Sequence, residues 1–252
     1  EKEGKLLIAT INRPESLNAI NGTLHHDFEE FFGELSMDTE VNAAILTGAG
    51  RAFSAGGDVK GMAERPDSSA ARRVSAGARR LILNLLEVDQ PIIAAVNGDA
   101  VGLGATIALF CDIVIMADSA RIGDPHVRVG LVAGDGGAII WPLLIGVNKA
   151  KQYLMTGDLI KAAEAERIGL VNQVVPTDQV MTVAREMAQR LANGPALAIQ
   201  WTKASVNKQI RERMNLILDT SLAFETMTMT SEDHKEAAQA FVEKRAPKFL
   251  GR

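Results

Sequence analysis

Short apolar runs alternate with amphipathic stretches along the first three quarters of the chain. The run Ile92–Val96 is apolar throughout, which is typical of a strand buried on both faces, whereas residues 21–35 and 74–88 repeat apolar side chains at helical spacing. Residues 63–72, rich in polar residues and alanine, are predicted to form a loop. Strands that alternate with helices indicate an α/β fold. The same pattern predicts further strands at residues 6–11, 41–47 and 170–175 and further helices at residues 138–145, 148–157, 160–168 and 177–191.

The pattern changes after the sequence Asn193-Gly194-Pro195, which breaks the preceding helix. Residues 196–252 are predicted to be wholly helical, with many apolar positions. Apolar surface of this extent needs a covering partner, either the rest of the chain or neighbouring subunits. The break therefore divides the chain into a core at residues 1–193 and a helical region at residues 194–252, and an oligomerisation role for the second region is one of these two alternatives.

The composition is that of an ordinary globular protein. The chain has 252 residues, 47% of them hydrophobic and 23% charged, and its net charge of -4 argues against a nucleic-acid-binding surface. No apolar run reaches the roughly 18 residues of a membrane span, and the single Cys111 has no partner for an internal disulfide. No metal site is expected, because acidic and imidazole groups do not cluster at ligand spacings. A cytoplasmic protein without membrane or nucleic-acid partners is the simplest expectation, although the start at Glu1 leaves a removed leader open.

Two glycine-rich turns, each after a predicted strand, are the strongest candidates for chemistry. Residues 91–112 place Gly98, Gly102 and Gly104 between two apolar runs, and residues 51–62 contain the sequence A-G-G-D. The order G-x-x-x-G-x-G lacks the dinucleotide fingerprint and no Walker lysine follows, so nucleotide-phosphate binding is disfavoured. Backbone amides of two such turns can converge on one carbonyl oxygen and stabilise it as an enolate. Glycines that serve packing alone are the alternative.

The sequences F-S-A-G-G-D, at residues 53–58, and A-A-V-N-G-D-A-V-G-L-G-A, at residues 94–105, resemble the signature of the crotonase family, also called the enoyl-CoA hydratase/isomerase family. The similarity continues through residues 11–20, the G-L-V sequence at Gly130 and A-F-V-E-K-R near the end. The resemblance implies a crotonase-like spiral of β-β-α turns with a C-terminal helical trimerisation region. It also implies a homo-trimer or dimer of trimers whose core binds an acyl-CoA thioester substrate, with no separate cofactor because coenzyme A is part of the substrate.

The resemblance also assigns roles to individual residues. It places the two amides of an oxyanion hole at Ala55 and Leu103, where an N–H donor works whatever the side chain. For Asp58, a plain helix cap is favoured over catalysis. A capping contact for Phe241 and a solvated side chain for Lys244 are alternatives to CoA contacts across a subunit boundary. Contacts with the substrate or CoA are implied for Ser16, Leu17, Ala19, Ser54, Gly56, Gly57, Asp58, Val59, Gly102, Gly134, Phe241 and Lys244.

Two positions depart from the pattern of the family's hydratases, which carry one glutamate after the second glycine turn and another after the following proline. In this chain the first position is Thr106 and the second is His126. Thr106 does not titrate near neutral pH, but it can hold a water molecule. His126 can carry protons, because its unperturbed pKa is about 6.5, and Asp124 could orient its ring. A purely structural histidine is the alternative.

Asp135 is the third candidate for acid–base work. Family branches that isomerise double bonds or act on aromatic thioesters use an aspartate one position earlier, where this chain has Gly134. The offset of one residue turns the carboxylate away from the site unless the local backbone compensates. A helix N-cap is the alternative role for Asp135.

These residues favour an acyl-CoA enzyme that adds water to a 2-enoyl-CoA, although both usual glutamates are replaced. A double-bond isomerase, whose proton shuttle needs a single acid/base group, is the first alternative. A protein that binds CoA thioesters without turning them over is the second, and its support is the absence of the two glutamates.

Overall fold

The computed structural model describes the backbone of residues 1–58 and 68–252 and the side chains of residues 1–58 and 72–252. The predicted contact at Val59 and the predicted loop at residues 63–67 lie outside these ranges.

Strands of two sheets form the framework of the described chain. Six strands make one sheet, in the order β1-β2-β3-β5-β7-β10, and four make a second, in the order β4-β6-β8-β9. Adjacent strands from β2 to β10 in the larger sheet run parallel, which suits continuous apolar runs buried on both faces. The strands are β1 (Lys2–Glu3), β2 (Leu6–Ile11), β3 (Ala43–Gly48), β4 (Ala52–Ser54), β5 (Ile92–Val96), β6 (Asp99–Val101), β7 (Ile113–Ala117), β8 (Arg121–Gly123), β9 (Ile160–Lys161) and β10 (Gln173–Val175).

The helices lie between and after these strands. The longest begins at Ala196, one residue after the predicted break, and the last follows it directly. The helices of the described ranges are α1 (Gly22–Met37), α2 (Ser68–Glu87), α3 (Leu103–Phe110), α4 (Gly137–Ile145), α5 (Val147–Thr156), α6 (Ala162–Arg167), α7 (Val180–Ala192), α8 (Ala196–Met229) and α9 (Glu232–Val242).

Consecutive strands alternate between the two sheets. Strands β3, β5 and β7 join the larger sheet, and the strand after each of them, β4, β6 or β8, joins the smaller one. Helix α2 follows the first pair and α3 the second, while a 3₁₀ turn at His126–Val129 and then α4 follow the third. This arrangement confirms the predicted α/β fold with its spiral of β-β-α turns.

Two predictions gave the wrong type of element for part of their range. Residues 68–72, predicted as part of a loop, belong to α2. The predicted helix at residues 160–168 begins instead with β9, because Ile160 pairs with Ile122 of the smaller sheet. Helix α6 starts only after that pairing ends.

The prediction that residues 196–252 are wholly helical is wrong, because helices cover only Ala196–Met229 and Glu232–Val242. Helix α9 starts afresh after Ser231, whose Oγ accepts the N–H of His234 at 3.1 Å. Beyond Val242 the chain leaves the helix, because carboxylates of α9 accept backbone N–H groups of this segment. The Lys248 N–H, for example, donates to Glu236 at 2.8 Å.

The core lies around β3, β5 and β7, whose aligned Ile45, Ile93 and Ile113 run across the sheet. Large side chains such as Phe32, Phe53 and Trp141 are fully buried around it, and a core of this kind dominates folding stability. Across the described ranges, none of the helices combines the length and the apolar character that crossing a membrane requires.

Candidate active site

The two glycine turns lie side by side at the ends of β4 and β6. Gly56 has a φ of +83°, and a Cβ at this position would lie 2.6 Å from the Val101 carbonyl oxygen. Glycine is therefore required for the close approach of the turns. At Gly102, with a φ of +54°, a Cβ would lie 3.7 Å from the His126 ring. The second turn, which carries Leu103, therefore lies next to the His126 ring.

The backbone amides at these turns are not equally available. The Ala55 N–H donates to the Leu17 carbonyl at 2.9 Å, so the assignment of an oxyanion amide to Ala55 is wrong. The Gly57 N–H has no acceptor among the residues that the structure describes. The Leu103 N–H opens α3, where a helix offers no internal acceptor. Gly57 and Leu103, which both line the cleft described next, therefore each offer an N–H group to a ligand.

A cleft of about 570 Å³ opens beside these two amides. Helices α1 and α2 form one side of it, and the last turns of α8 form the other. Its volume is within the usual range of small-molecule sites. The lining residues with the clearest chemical potential are Gly57, Asp58, Leu103, His126, Asp135 and Glu225.

One side of this cleft, here called the charged wall, is lined by His126, Asp135 and Glu225. His126 is its central residue. Its Nδ1–H donates to Asp124 Oδ1, and the same oxygen accepts the His126 backbone N–H at 3.3 Å. On the opposite side of the ring, Nε2 lies 3.5 Å from Asp135 Oδ2. Asp124 therefore orients the imidazole, as the sequence suggested, and leaves Nε2 for the cleft.

Asp135 faces His126 despite the offset of one residue. Helix α4 begins at Gly137 and its N-cap position is Gly136, but the Gly137 N–H donates to the Asp135 carboxylate and lowers its pKa, so Asp135 fulfils part of the predicted capping role. Gly136 has a φ of +122°, a backbone conformation that glycine alone adopts readily. The Thr106 hydroxyl donates to Asp135 Oδ1 at 3.3 Å. The fold thus brings Thr106, His126 and Asp135 together, as the predicted acid–base set requires.

Glu225 is a member of this wall that the sequence analysis did not predict. It is 6% exposed, and its Oε1 lies 4.0 Å from His126 Nε2. The available signal was its position on the buried face of α8, in register with Met214, Leu218 and Leu222. An acidic residue on an apolar helical face is rarely buried without a role.

The buried charges of this wall shift one another's protonation. Burial, followed by the charge of Asp135, raises the pKa of Glu225 to about 8. Burial also raises the pKa of Asp135, against the lowering influence of His126. Burial by itself lowers the pKa of His126, but the charges of Asp124 and Asp135 outweigh it and hold that pKa well above its usual range. Near neutral pH the wall therefore holds an imidazolium and a protonated Glu225.

Asp124, His126 and Asp135 also place possible metal-ligand atoms within 4.8 Å of one another. Their spacing in the sequence did not indicate this cluster, because a turn and the start of another segment separate Asp135 from the other two. Asp124 Oδ1 and His126 Nδ1 are directed at each other, whereas metal ligands direct their lone pairs at a common point. These residues fit a hydrogen-bonded proton network better than a metal centre.

Ser54 and Asp58 have different places in the first glycine turn. Ser54 is fully buried, and its hydroxyl donates to the Asn18 carbonyl at 2.8 Å. It also accepts the Gly56 N–H at 3.2 Å, so Ser54 shapes the turn and the predicted substrate contact is wrong. Asp58 lines the cleft, with Oδ2 at 3.7 Å from Arg13 Nη2. The residues that would follow Asp58 in the predicted helix lie outside the described ranges.

The remaining predicted contacts lie away from the cleft wall. Ser16, Leu17 and Ala19 form the loop after β2 that packs beside the first glycine turn. Phe241 is 55% exposed and Lys244 is also exposed, both at the end of α9. Their contacts with CoA, within the chain or across a subunit boundary, stay predictions.

The chain belongs to the enoyl-CoA hydratase/isomerase family, whose family model matches residues 1–252. It is 40% identical over 250 residues to the short-chain-enoyl-CoA hydratase of Clostridium acetobutylicum, covering 97% of this chain and 94% of that protein. It is 37% identical over 252 residues to a probable enoyl-CoA hydratase of Mycobacterium tuberculosis, covering 100% and 97%. The crystal structure of an enoyl-CoA hydratase/isomerase from Mycobacterium paratuberculosis superposes with a TM-score of 0.91 at 38% identity, covering 95% of this chain and 96% of that chain. The protein is therefore an enzyme of the enoyl-CoA hydratase/isomerase type.

Proposed function

We propose that the protein adds water across the double bond of a 2-enoyl-CoA thioester. The observation that carries this proposal is the Asp135–His126 pair, 3.5 Å apart, in the same cleft as the amides of Gly57 and Leu103. Hydration needs both parts, because a proton leaves water while negative charge develops on the thioester oxygen. Hydratase is also the activity by which the similar proteins are named.

The thioester oxygen would lie between the N–H groups of Gly57 and Leu103. Attack at the β-carbon moves the double-bond electrons toward the carbonyl, and two fixed N–H donors stabilise the resulting enolate oxygen. Leu103 is the first residue of α3, so the positive end of the helix dipole acts in the same direction. A leucine side chain at this position does not impair its N–H as a donor.

Asp135 would accept the proton of the attacking water. Thr106 and His126 both hold its carboxylate, through the bond of 3.3 Å to Oδ1 and the contact of 3.5 Å to Oδ2. The positive charge of His126 favours the ionised form of Asp135, which a base requires. Thr106 and His126 stand where the family's hydratases carry glutamates, so Asp135 supplies the carboxylate from a third position.

Isomerisation of a 3-enoyl-CoA is the second candidate reaction. The close contact between Asp135 and His126 favours it as well, because one buried acid–base pair can remove a proton from one carbon and return it to another. Binding without turnover is the third candidate. Its support is the absence of both family glutamates, which the presence of Asp135 in the cleft weakens.

We also propose a homo-trimer or dimer of trimers built through the helical region at residues 194–252. Its support is the apolar outer face of α8, where Trp201 is 64% exposed and Leu216 is 65% exposed. Exposed apolar surface of this kind is typical of a protein interface. Coenzyme A enters as part of the substrate, and no further cofactor is needed for water addition.

The experiment that tests the proposed reaction is turnover of 2-enoyl-CoA and 3-enoyl-CoA thioesters of several chain lengths by wild type and Asp135→Asn. We expect wild type to hydrate a 2-enoyl-CoA and Asp135→Asn to lose at least ~10²-fold in rate, the low end for a general base. Asp219→Asn is the matched control, because this carboxylate on α8 is 77% exposed. Conversion of a 3-enoyl-CoA without water addition assigns the isomerase reaction, and binding without any turnover rules out both.

A further inference from the structure

We propose that Glu225 is a second catalytic acid–base group, which donates a proton to the α-carbon of the substrate. This inference rests on the proposed hydration, which requires a base for the water and an acid for the α-carbon. Asp135 serves only the first of these needs. Glu225 comes from α8, far along the chain from both glycine turns, and lines the same cleft as Gly57 and Leu103.

The carboxyl group of Glu225 is placed for chemistry with a ligand. It is nearly buried, yet it accepts or donates no hydrogen bond within the described part of the chain, and its Oε1 lies 4.0 Å from His126 Nε2. Buried carboxyl groups that serve structure are normally hydrogen-bonded. A buried carboxyl that faces a cleft without a partner is available to a substrate.

The fold makes room for this carboxyl group at Gly134. A Cβ at residue 134 would lie 2.6 Å from Glu225 Oε2 and 2.5 Å from the Ser221 carbonyl oxygen. Such distances are too short for any real side chain. The Ser221 hydroxyl donates to the Gly134 carbonyl at 2.9 Å and fixes α8 against this backbone. Because residue 134 is a glycine, the carboxyl group of Glu225 can occupy the space that a side chain at residue 134 would need.

The protonation of Glu225 suits a proton donor. Its pKa of about 8, raised by burial and by Asp135, leaves it mostly protonated at neutral pH. The groups that face it are His126 and Asp135, with Asp124 behind the imidazole, and His234 of α9 lines the same cleft. A donor whose pKa lies near the working pH transfers its proton efficiently and regains it easily.

The proton balance closes with these groups alone. Water gives a proton to Asp135 while its oxygen bonds to the β-carbon, and the double-bond electrons form the enolate. The enolate carbon then takes the proton of Glu225, and its electron pair becomes the new C–H bond. His126 lies 3.5 Å from Asp135 and 4.0 Å from Glu225, so it can return the proton from Asp135 to the Glu225 carboxylate.

The test separates chemistry at the α-carbon from water addition. Saturated butyryl-CoA and octanoyl-CoA have no double bond to hydrate, but an α-carbon base exchanges their α-protons for deuterium in D₂O. We would measure this exchange by mass spectrometry near pH 8, beside hydration of the matching 2-enoyl-CoA thioesters. The variants are Glu225→Gln, Asp135→Asn and, as the matched control, Glu212→Gln on the exposed side of α8. Thermal unfolding checks that each variant is folded.

We expect Glu225→Gln to lose at least ~10²-fold in both exchange and hydration. Asp135→Asn should lose hydration and keep the exchange, and Glu212→Gln should keep both. Exchange at the wild-type rate in Glu225→Gln overturns the inference, as does a wild-type enzyme that exchanges no α-proton. A wild type that hydrates nothing, yet exchanges α-protons through Glu225, overturns the proposed hydration and supports this role of Glu225.

Discussion

The two walls of the cleft are built from different kinds of group. On one wall, the backbone N–H groups of Gly57 and Leu103 come from two short turns. On the other, side chains of His126, Asp135 and Glu225 come from separate segments and depend on one another's charge. An N–H group does not titrate and needs no particular side chain. The backbone wall therefore tolerates a leucine at its second position. In the charged wall, by contrast, a substitution of one residue also changes the pKa of the others.

Removal of the His126 imidazole ring should give the largest effect on the rate of hydration. His126→Ala leaves three buried carboxyl groups without the cation between them, and we expect hydration to fall by ~10²–10⁴-fold. Steady-state kinetics measures the loss, and CoA binding should persist because the backbone wall is intact. His126→Gln fills more of the space if the alanine variant folds poorly. A loss of less than tenfold in both variants would identify His126 as structural.

The charged wall should also respond to pH in a way that the backbone wall cannot. Because Glu225 must be protonated to donate, kcat/KM for hydration should fall by about tenfold per pH unit above a pKa of about 8. In Glu225→Gln the residual rate should lose this decline, since the glutamine has no proton to lose there. A decline that persists in the variant belongs to His126, whose pKa is also raised.

A single methyl group added at Gly104, next to the backbone wall, should lower the stability of the protein. In Gly104→Ala the new Cβ would lie 2.6 Å from Ser54 Cβ, so we expect a loss of about 1–3 kcal/mol in the free energy of unfolding. Gly33→Ala in α1 is the matched control, because its nearest neighbour would be 3.9 Å away and alanine favours a helix. Urea unfolding of both variants compares them. Equal stability of the two would show that the turns can separate without cost.

The smallest effect should come from Thr106. Thr106→Val removes the hydroxyl that donates to Asp135 at 3.3 Å, and we expect a loss of tenfold or less, because such a bond contributes about 0.5–1.5 kcal/mol. The pKa of Asp135 should rise, since this bond lowers it, so the acidic side of the pH–rate profile should move to higher pH. Thr106→Ser keeps the hydroxyl and should keep the profile.

The backbone wall and the fold around it could be predicted because their signals are local. A buried strand followed by glycines occupies a short stretch of sequence, and the two stretches at residues 53–58 and 94–105 indicate both turns. Which amide is free was not predictable from the motif. The bond from Ala55 to Leu17 depends on a loop elsewhere in the chain, so the free donor lies two residues later, at Gly57.

The charged wall could be predicted only in part. His126 and Asp135 were found because they stand at or near positions that resemble the family's acid–base residues. Glu225 lies on a helix that was predicted to serve assembly, and nothing in its neighbourhood marks it except its register with the apolar face. Its approach to His126 is a property of how α8 packs, which a linear pattern does not contain.

Gly134 also constrains how this site could have evolved. A Cβ at residue 134 would lie 2.6 Å from Glu225 Oε2 and 2.5 Å from the Ser221 carbonyl oxygen, which is a backbone atom of α8. A smaller residue at 225 therefore does not by itself make room for a side chain at 134, because the helix backbone would still be overpacked. A mutational path between this arrangement and one with an aspartate at 134 must also move α8 away from residue 134.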